Sequence, residues 1–162
     1  MRDVTHYFAY GSNLSRARLQ ARVPEAKPLG RARLEGWALC FDKHGRDQHA
    51  KANIRSSSGE HVWGAVYHLP SALRDPLDRA EGLGVEYAMR RVRITVDAPA
   101  SVIEAYTYVA LRICPGLPLQ DWYLGHVLAG IVDHGLPQHW RGQVSRIAAA
   151  HTLIDAFRCP EV

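Results

Sequence analysis

Strand-like segments in the first two-thirds of this chain follow one another mostly across turns too short to hold a crossover helix. They are rich in β-branched and aromatic residues, and glycine, proline or serine clusters separate most of them. The segments are residues 4–10, 31–41, 52–55, 61–69, 87–96 and 102–110. Antiparallel strands need only a short turn between them, whereas parallel strands need a long crossover. The order therefore favours an α+β fold in which a mixed or antiparallel sheet closes toward a small barrel.

Helical patterns fill some of the gaps and most of the C-terminal third. Helical spacing marks a stretch after residue 12 that ends near residue 23, and residues 72–81, 118–134 and 137–150. Ser12 or Asn13 is placed to cap the first helix. Pro76 predicts two short turns or a kink in the second one. We expect these helices to flank the barrel in one domain over residues 1–162.

Composition and charge argue against several classes of protein. The chain has 20 Lys and Arg against 16 Asp and Glu, and this net charge of +4 is scattered. A nucleic-acid-binding domain more often concentrates basic charge on one element, so we expect no nucleic-acid partner. No apolar run is long enough to cross a bilayer and no leader-like segment is evident, which favours a cytoplasmic protein without membrane contact. Cys40, Cys114 and Cys159 are odd in number and widely spaced, which favours thiols over a disulfide framework.

The sequence lacks the common motifs for cofactor binding, for zinc binding and for an activated serine nucleophile. There is no glycine-rich phosphate or dinucleotide cradle and no G-x-S-x-G nucleophile elbow. The nine histidines and three cysteines show no zinc-type spacing. We therefore expect neither a metal nor an organic cofactor.

One candidate site is the junction where the first strand runs into Gly11, Ser12 and Asn13. Glycine lets the backbone approach a ligand closely, and N–H groups at the start of a helix attract anions. The short side chains of Ser12 and Asn13 can bind a carboxylate or cap the helix. The residues alone leave both interpretations open.

The second candidate is Glu81, at the end of a helical segment and just before Gly82. A carboxylate at a helix C-terminus faces the negative end of the helix dipole, which raises its pKa. Burial would raise the pKa further above the ~4.3 of a free glutamate, toward the range of a general acid or base. The alternative is a solvated surface glutamate. Asp78, with Arg74 four residues earlier, is more typical of a salt bridge.

Four segments, in order, resemble the γ-glutamylcyclotransferase family. They are Tyr7-Phe8-Ala9-Tyr10-Gly11-Ser12-Asn13-Leu14, Val62-Trp63-Gly64-Ala65-Val66-Tyr67, Leu77-Asp78-x-x-Glu81-Gly82 followed by Tyr87, and Tyr123 followed by Gly135-Leu136-Pro137. The resemblance implies a small mixed α/β fold around a β-barrel. It also implies cyclisation of a γ-glutamyl amide to 5-oxoproline with release of the amine, without metal or cofactor.

By position, the resemblance makes Glu81 the general acid and base. It implies substrate binding by Tyr10, Gly11, Ser12, Asn13, Leu14, Tyr87 and Tyr123. Each tyrosine is equally a hydroxyl donor, a cavity wall or a core residue. Residues 42–58 match the family only loosely, and we expect them to line the part of the cavity that contacts the leaving amine. The protein is expected to be a monomer or homodimer.

Two other functions stay open. The same cavity would also suit a small carboxylate ligand that is bound without turnover. The other alternative is an enzyme that keeps Glu81 as the acid and base but acts on a specialised γ-glutamyl metabolite. The sequence does not specify the leaving amine.

Overall fold

The computed structural model of the protein describes residues 6–152. In chain order its elements are β1 (His6–Ala9), α1 (Arg16–Arg22), β2 (Lys27–His44), β3 (Ala50–His68), α2 (Arg74–Glu81), β4 (Tyr87–Asp97), β5 (Ala100–Ala110), α3 (Asp121–Asp133) and α4 (Gln138–His151). Short 3-10 turns over Ser12–Leu14 and Ser71–Leu73 precede α1 and α2.

The five strands form a closed barrel in the order β1-β3-β2-β4-β5. β1 closes it, because this strand pairs antiparallel with β3 and parallel with β5, with Tyr7 opposite both Tyr67 and Tyr106. The remaining neighbours are antiparallel. Closure pairs the strands at both edges of the sheet. The predicted α+β fold, a small mixed barrel with flanking helices, is confirmed.

β2 and β3 form a ribbon longer than the sequence predicts. The predicted strands 52–55 and 61–69 are one strand of 19 residues, so the predicted turn between them is wrong. Glu35 pairs with His61 and Trp37 pairs with Ser56. Residues 57–60 therefore form a four-residue bulge opposite the single residue Gly36. The serine and glycine residues that look like a turn therefore accommodate this bulge, while pairing continues on both sides of it.

The first predicted helix is divided. Residues Ser12–Leu14 form a 3-10 turn, and α1 begins afterwards with Ser15 as its cap, the Oγ of which accepts a hydrogen bond from the Arg18 amide at 3.3 Å. The predicted cap at Ser12 or Asn13 is therefore wrong, and both side chains are available for other contacts. The interruption predicted around Pro76 is confirmed as a 3-10 turn followed by α2, with the proline in the first turn of the helix.

Two glycines let the segment after β1 pack closely against the rest of the molecule. A Cβ atom on Gly64 of β3 would lie 2.3 Å from the carbonyl oxygen of Ala9. A Cβ atom on Gly130 of α3 would lie 2.2 Å from Cβ of Leu14. These approaches fix the end of β1 and the turn that follows it between the barrel and α3.

The cysteine prediction is wrong in part. Cys40 is a free thiol, but Cys114 is disulfide-bonded. Cys159 lies outside the described residues. Within residues 6–152, none of the helices combines the length and apolar character needed to cross a membrane.

Candidate active site

One cavity brings together residues that lie far apart in sequence, from Tyr7 in β1 to Tyr123 in α3. Its lining residues are Tyr7, Tyr10, Gly11, Ser12, Asn13, Ala52, Glu81, Tyr87, Tyr108 and Tyr123. All of the site residues predicted from the sequence are among them except Leu14. The Leu14 side chain is fully buried instead and faces Gly130 of α3, so it supports the turn from behind.

Glu81 is held at the cavity through one of its two carboxylate oxygens. It is the last residue of α2, which Gly82 ends in a left-handed conformation with φ of 68°. Oε1 accepts hydrogen bonds from Nδ2 of Asn13 at 2.6 Å and from a guanidinium nitrogen of Arg22 at 2.9 Å. Across residues 6–152, Oε2 accepts no hydrogen bond. One oxygen is therefore fixed, and the other is available to a ligand.

The environment of Glu81 shifts its protonation equilibrium toward the neutral acid, compared with a free glutamate. Burial raises the pKa of Glu81 above its ordinary value, while the Arg22 charge and the Asn13 hydrogen bond act in the opposite direction and compensate only in part. Its side chain is 14% exposed, so the alternative of a solvated surface glutamate is wrong. The direction of the shift agrees with the sequence prediction, and burial is its largest cause.

Asn13 connects Glu81 to two further residues. Its Nδ2 lies 3.2 Å from the hydroxyl of Tyr7, and its Oδ1 accepts a hydrogen bond from Arg22 at 3.1 Å. Arg22 thus contacts both Asn13 and Glu81. The sequence did not single out Arg22. Helical periodicity does not distinguish a face in solvent from a face against a cavity.

Three backbone N–H groups at the cavity have no acceptor. Within the described part of the chain, the amides of Gly11, Ser12 and Asn13 donate to neither backbone nor side-chain atoms. Gly11 also lies close to β3, since a Cβ atom there would be 3.0 Å from Cβ of Ala52. Free amides at the start of a 3-10 turn are suited to bind an oxyanion or a carboxylate.

The hydroxyl groups of the predicted tyrosines bind the protein backbone. Tyr123 accepts a hydrogen bond from the Ala52 amide at 2.9 Å, and Tyr87 donates to the Ala52 carbonyl at 3.0 Å. Tyr10 donates to the carbonyl of Tyr108 at 2.6 Å. Burial raises the pKa of Tyr10, Tyr87 and Tyr123, so each hydroxyl stays protonated. The three tyrosines form rigid walls.

The predicted ion pair next to the site is confirmed. Nε of Arg74 lies 3.6 Å from Oδ2 of Asp78. Asp78 also accepts a 2.6 Å hydrogen bond from the hydroxyl of Tyr108, a cavity residue that the sequence did not single out. Asp78 therefore supports the wall of the cavity. Among the described residues that line this cavity, Glu81 is the only one with a carboxylate.

Comparison with known proteins identifies the family of this chain. The sequence profile of the family described as "Gamma-glutamyl cyclotransferase, AIG2-like" matches residues 7–124, which include every predicted site residue. The chain belongs to this family. It is 30% identical over 149 residues to the γ-glutamylcyclotransferase of Mus musculus, covering 87% of this chain and 77% of that protein. The Homo sapiens γ-glutamylcyclotransferase is 29% identical over 148 residues, with the same coverage.

Two solved structures share the overall fold of this chain. A γ-glutamyl cyclotransferase superposes with a TM-score of 0.81 at 23% identity, covering 99% of this chain and 93% of that one. A yeast γ-glutamyl cyclotransferase specific to glutathione superposes with a TM-score of 0.65 at 11% identity, covering 94% and 98%. At these identities the structures establish the common fold only.

Proposed function

We propose that this protein converts a γ-glutamyl amide into 5-oxoproline and a free amine, with Glu81 as general base and general acid. The observation that carries the proposal is a largely buried glutamate in the same cavity as three backbone amides, where one glutamate oxygen and all three amides have no hydrogen-bond partner among residues 6–152. Family membership and the similarity to γ-glutamylcyclotransferases support this type of reaction.

The first step is a proton transfer from the substrate to Glu81. The α-ammonium of the γ-glutamyl group gives one proton to the carboxylate and becomes a free amine. A carboxyl with a raised pKa is a stronger base than an exposed one, which suits it to this transfer. Arg22 and Asn13 hold Oε1, so Oε2 is the oxygen that we expect to take the proton.

The second step closes the ring. The amine nitrogen attacks the γ-carbonyl carbon, a new C–N bond forms, and the C–N bond to the leaving amine breaks. The proton held by Glu81 goes to the departing nitrogen, which restores the carboxylate. The substrate supplies its own nucleophile, so the enzyme gains rate by holding a ring-forming conformer in place.

The free amides of Gly11, Ser12 and Asn13 would stabilise negative charge during the reaction. They are suited either to the oxyanion that develops on the γ-carbonyl or to the substrate α-carboxylate. Tyr10 and Tyr87 would shape the cavity rather than donate to substrate, because their hydroxyls donate to backbone carbonyls. The Tyr123 hydroxyl accepts from the Ala52 amide, which leaves its proton available to a ligand. No step requires a metal or an organic cofactor.

The test is mass spectrometry of reaction products from wild type and Glu81→Gln. γ-Glutamyl dipeptides, glutathione and γ-glutamyl alkylamines serve as substrates. Wild type should release 5-oxoproline, and Glu81→Gln should be slower by about 10²–10⁴-fold, since it keeps the shape but loses the titrating group. Asp75→Asn, on the exposed surface of the same helix, is the matched control and should retain activity.

Two results would contradict the proposal. Full activity of Glu81→Gln would remove Glu81 from the reaction, and release of free glutamate in place of 5-oxoproline would indicate hydrolysis. An N-acetyl-γ-glutamyl substrate should not react, because the lone pair of its nitrogen is delocalised into the acetyl carbonyl and is too weak a nucleophile for attack. If wild type binds γ-glutamyl ligands but turns none over, the binding-only alternative replaces the enzymatic one.

A further inference from the structure

A second, larger cavity adjoins the one that holds Glu81. Its volume is about 270 Å³, and it shares Ser12, Glu81, Tyr87 and Tyr123 with the first cavity. A substrate whose γ-glutamyl half occupies the first cavity would extend its leaving amine into this second space. We call this second cavity the vestibule.

The vestibule carries an excess of positive charge. Its cationic lining residues are Arg18, Arg22, Lys43, Arg46 and Lys51. Its carboxylates are Asp47, Glu81 and Glu86. The lining therefore has two more cations than carboxylates when Glu81 is ionised, and three more when Glu81 holds a proton. A negatively charged leaving amine would compensate this excess.

Most of these cations already have a carboxylate partner. Lys43 and Arg46 bind the buried Glu86, and Arg22 binds Glu81. Lys51 binds the partly exposed Asp47 at 3.1 Å. Arg18 makes no ion pair within residues 6–152; its Nε donates to the Ser12 hydroxyl at 3.1 Å. Among the described residues, Arg18 is thus a guanidinium in the vestibule lining that has no counter-anion.

Arg18 and Lys51 come together on one aromatic ring. The guanidinium carbon of Arg18 lies 5.6 Å from the ring centroid of Trp122, and Nζ of Lys51 lies 4.9 Å from it. Lys51 is also 4.8 Å from the ring centroid of Tyr123. Burial and the neighbouring Arg22 charge lower the pKa of Arg18, as expected where cations are close together and not fully compensated.

We propose that Arg18 and Lys51, beside Trp122, bind an anionic group of the leaving amine, so that the protein prefers γ-glutamyl amides of dicarboxylic amino acids. The inference rests on the proposed function for the γ-glutamyl half of the substrate. A leaving amine with two carboxylates matches the charge excess of the vestibule. A neutral amine leaves Arg18 without a counter-anion among the described residues and Lys51 with Asp47 alone, and a cationic amine adds repulsion.

Three substrates of nearly equal shape test this directly. γ-Glutamyl-aspartate, γ-glutamyl-asparagine and γ-glutamyl-asparaginamide have leaving amines that carry two, one and no carboxylates. We expect kcat/KM to fall in that order, by about tenfold for each charge removed, since each carboxylate removed takes away a charge-assisted hydrogen bond. The fall should appear mainly in KM, because the anion binds away from the reacting atoms.

Substitutions locate the effect. Lys51→Gln and Arg18→Gln should each raise KM for γ-glutamyl-aspartate by about tenfold and leave γ-glutamyl-asparaginamide almost unchanged. Lys51→Gln is the cleaner variant, because Arg18 also contacts Ser12. Lys27→Gln is the matched control: it removes the same charge from an exposed residue that lines neither cavity, and it should keep the full preference.

The outcomes separate this inference from the proposed function. Equal kcat/KM for the three substrates overturns the inference and leaves the cyclisation intact. Absence of 5-oxoproline from all three overturns the proposed function, and calorimetric binding of the same compounds then decides. Binding ranked by charge, with the ranking lost in Lys51→Gln, supports the anion subsite; unranked binding overturns it.

Discussion

The side-chain Nδ2 of Asn13 donates a 2.6 Å hydrogen bond to Oε1 of Glu81, and the two residues are 68 positions apart in sequence. This bond joins the turn after β1 to the last residue of α2. Because Arg22 donates to the same oxygen, the geometry of Glu81 is fixed while its second oxygen is left without a partner. The pKa of Glu81 therefore depends on a balance between burial and two donors, which can be changed one at a time.

Removal of Arg22 should shift the pH dependence of catalysis. Arg22 lowers the pKa of Glu81, so Arg22→Gln should raise that pKa further. The general base must be ionised in the free enzyme, so the acidic limb of the kcat/KM profile should move to higher pH. Arg16→Gln, an exposed arginine on the same helix, is the control and should not move the limb. A limb unchanged in Arg22→Gln would show that the Arg22 charge does not act on the titrating group.

The Tyr123 hydroxyl should be important for stability. Tyr123→Phe leaves the Ala52 amide without its acceptor inside the protein, which should cost about 1–3 kcal/mol in the free energy of unfolding. Tyr106→Phe is a matched control, because the buried Tyr106 hydroxyl has no hydrogen-bond partner among residues 6–152. That variant should be neutral or slightly stabilising. Urea denaturation of both variants measures the difference, and equal losses would contradict the assignment.

Alanine at Gly130 should destabilise the protein, while alanine at Gly125 should not. Both glycines are in α3, but a Cβ atom at Gly130 meets Leu14 at 2.2 Å, and one at Gly125 has no neighbour within 4 Å. Gly125→Ala should stabilise by about 0.5–1 kcal/mol through helix propensity. Gly130→Ala should destabilise by about 1–3 kcal/mol through overpacking. Thermal unfolding measures the two shifts; the same sign for both would be inconsistent with the close packing.

Glu86 should make stability depend on acid pH. The buried carboxylate binds Lys43, Arg46 and Arg112, and these cations lower its pKa to about 2. A group whose pKa is lower in the folded state contributes stability above its unfolded pKa of about 4.3, and that contribution disappears as pH falls toward 2.

Glu86→Gln tests this dependence. The variant should lose about 3–5 kcal/mol at pH 7, because buried Lys43 then has no counter-charge. Its stability should also change less than that of wild type between pH 5 and about 2, since the titrating group is absent. Urea denaturation across this range gives both numbers. A wild-type slope retained in Glu86→Gln would show that other carboxyls cause the acid dependence.

Much of the fold could be predicted from the sequence because its signals are local. The spacing of apolar residues located β4, β5, α3 and α4 within a few residues, and short connections indicated a closed mixed barrel. The β2–β3 ribbon was harder to predict. Residues 56–59 have the composition of a turn, and only the pairing of Ser56 with Trp37 and of His61 with Glu35 shows that the chain continues across a bulge.

The site could be predicted in its motifs but not in its contacts. Glu81 and the turn after β1 stand out as local patterns. Arg22 and Tyr108 do not, because one resembles a solvent-facing residue of a helix and the other an ordinary strand residue. They reach the cavity only because the barrel closes and α1 packs over it. Such contacts depend on long-range packing, which no window of sequence contains.

Helix α3 serves the site at two places along its length. Gly130 supports Leu14 from behind and so holds the turn that carries Asn13, whereas Trp122 stands at the vestibule beside Lys51. Eight residues correspond to about 12 Å along a helix axis, so the two places are more than two turns apart. Under the proposed anion subsite, natural variation at the first turn of this helix would alter which amines are accepted while the third turn keeps the turn after β1 in place, which would separate the evolution of substrate choice from that of the chemistry.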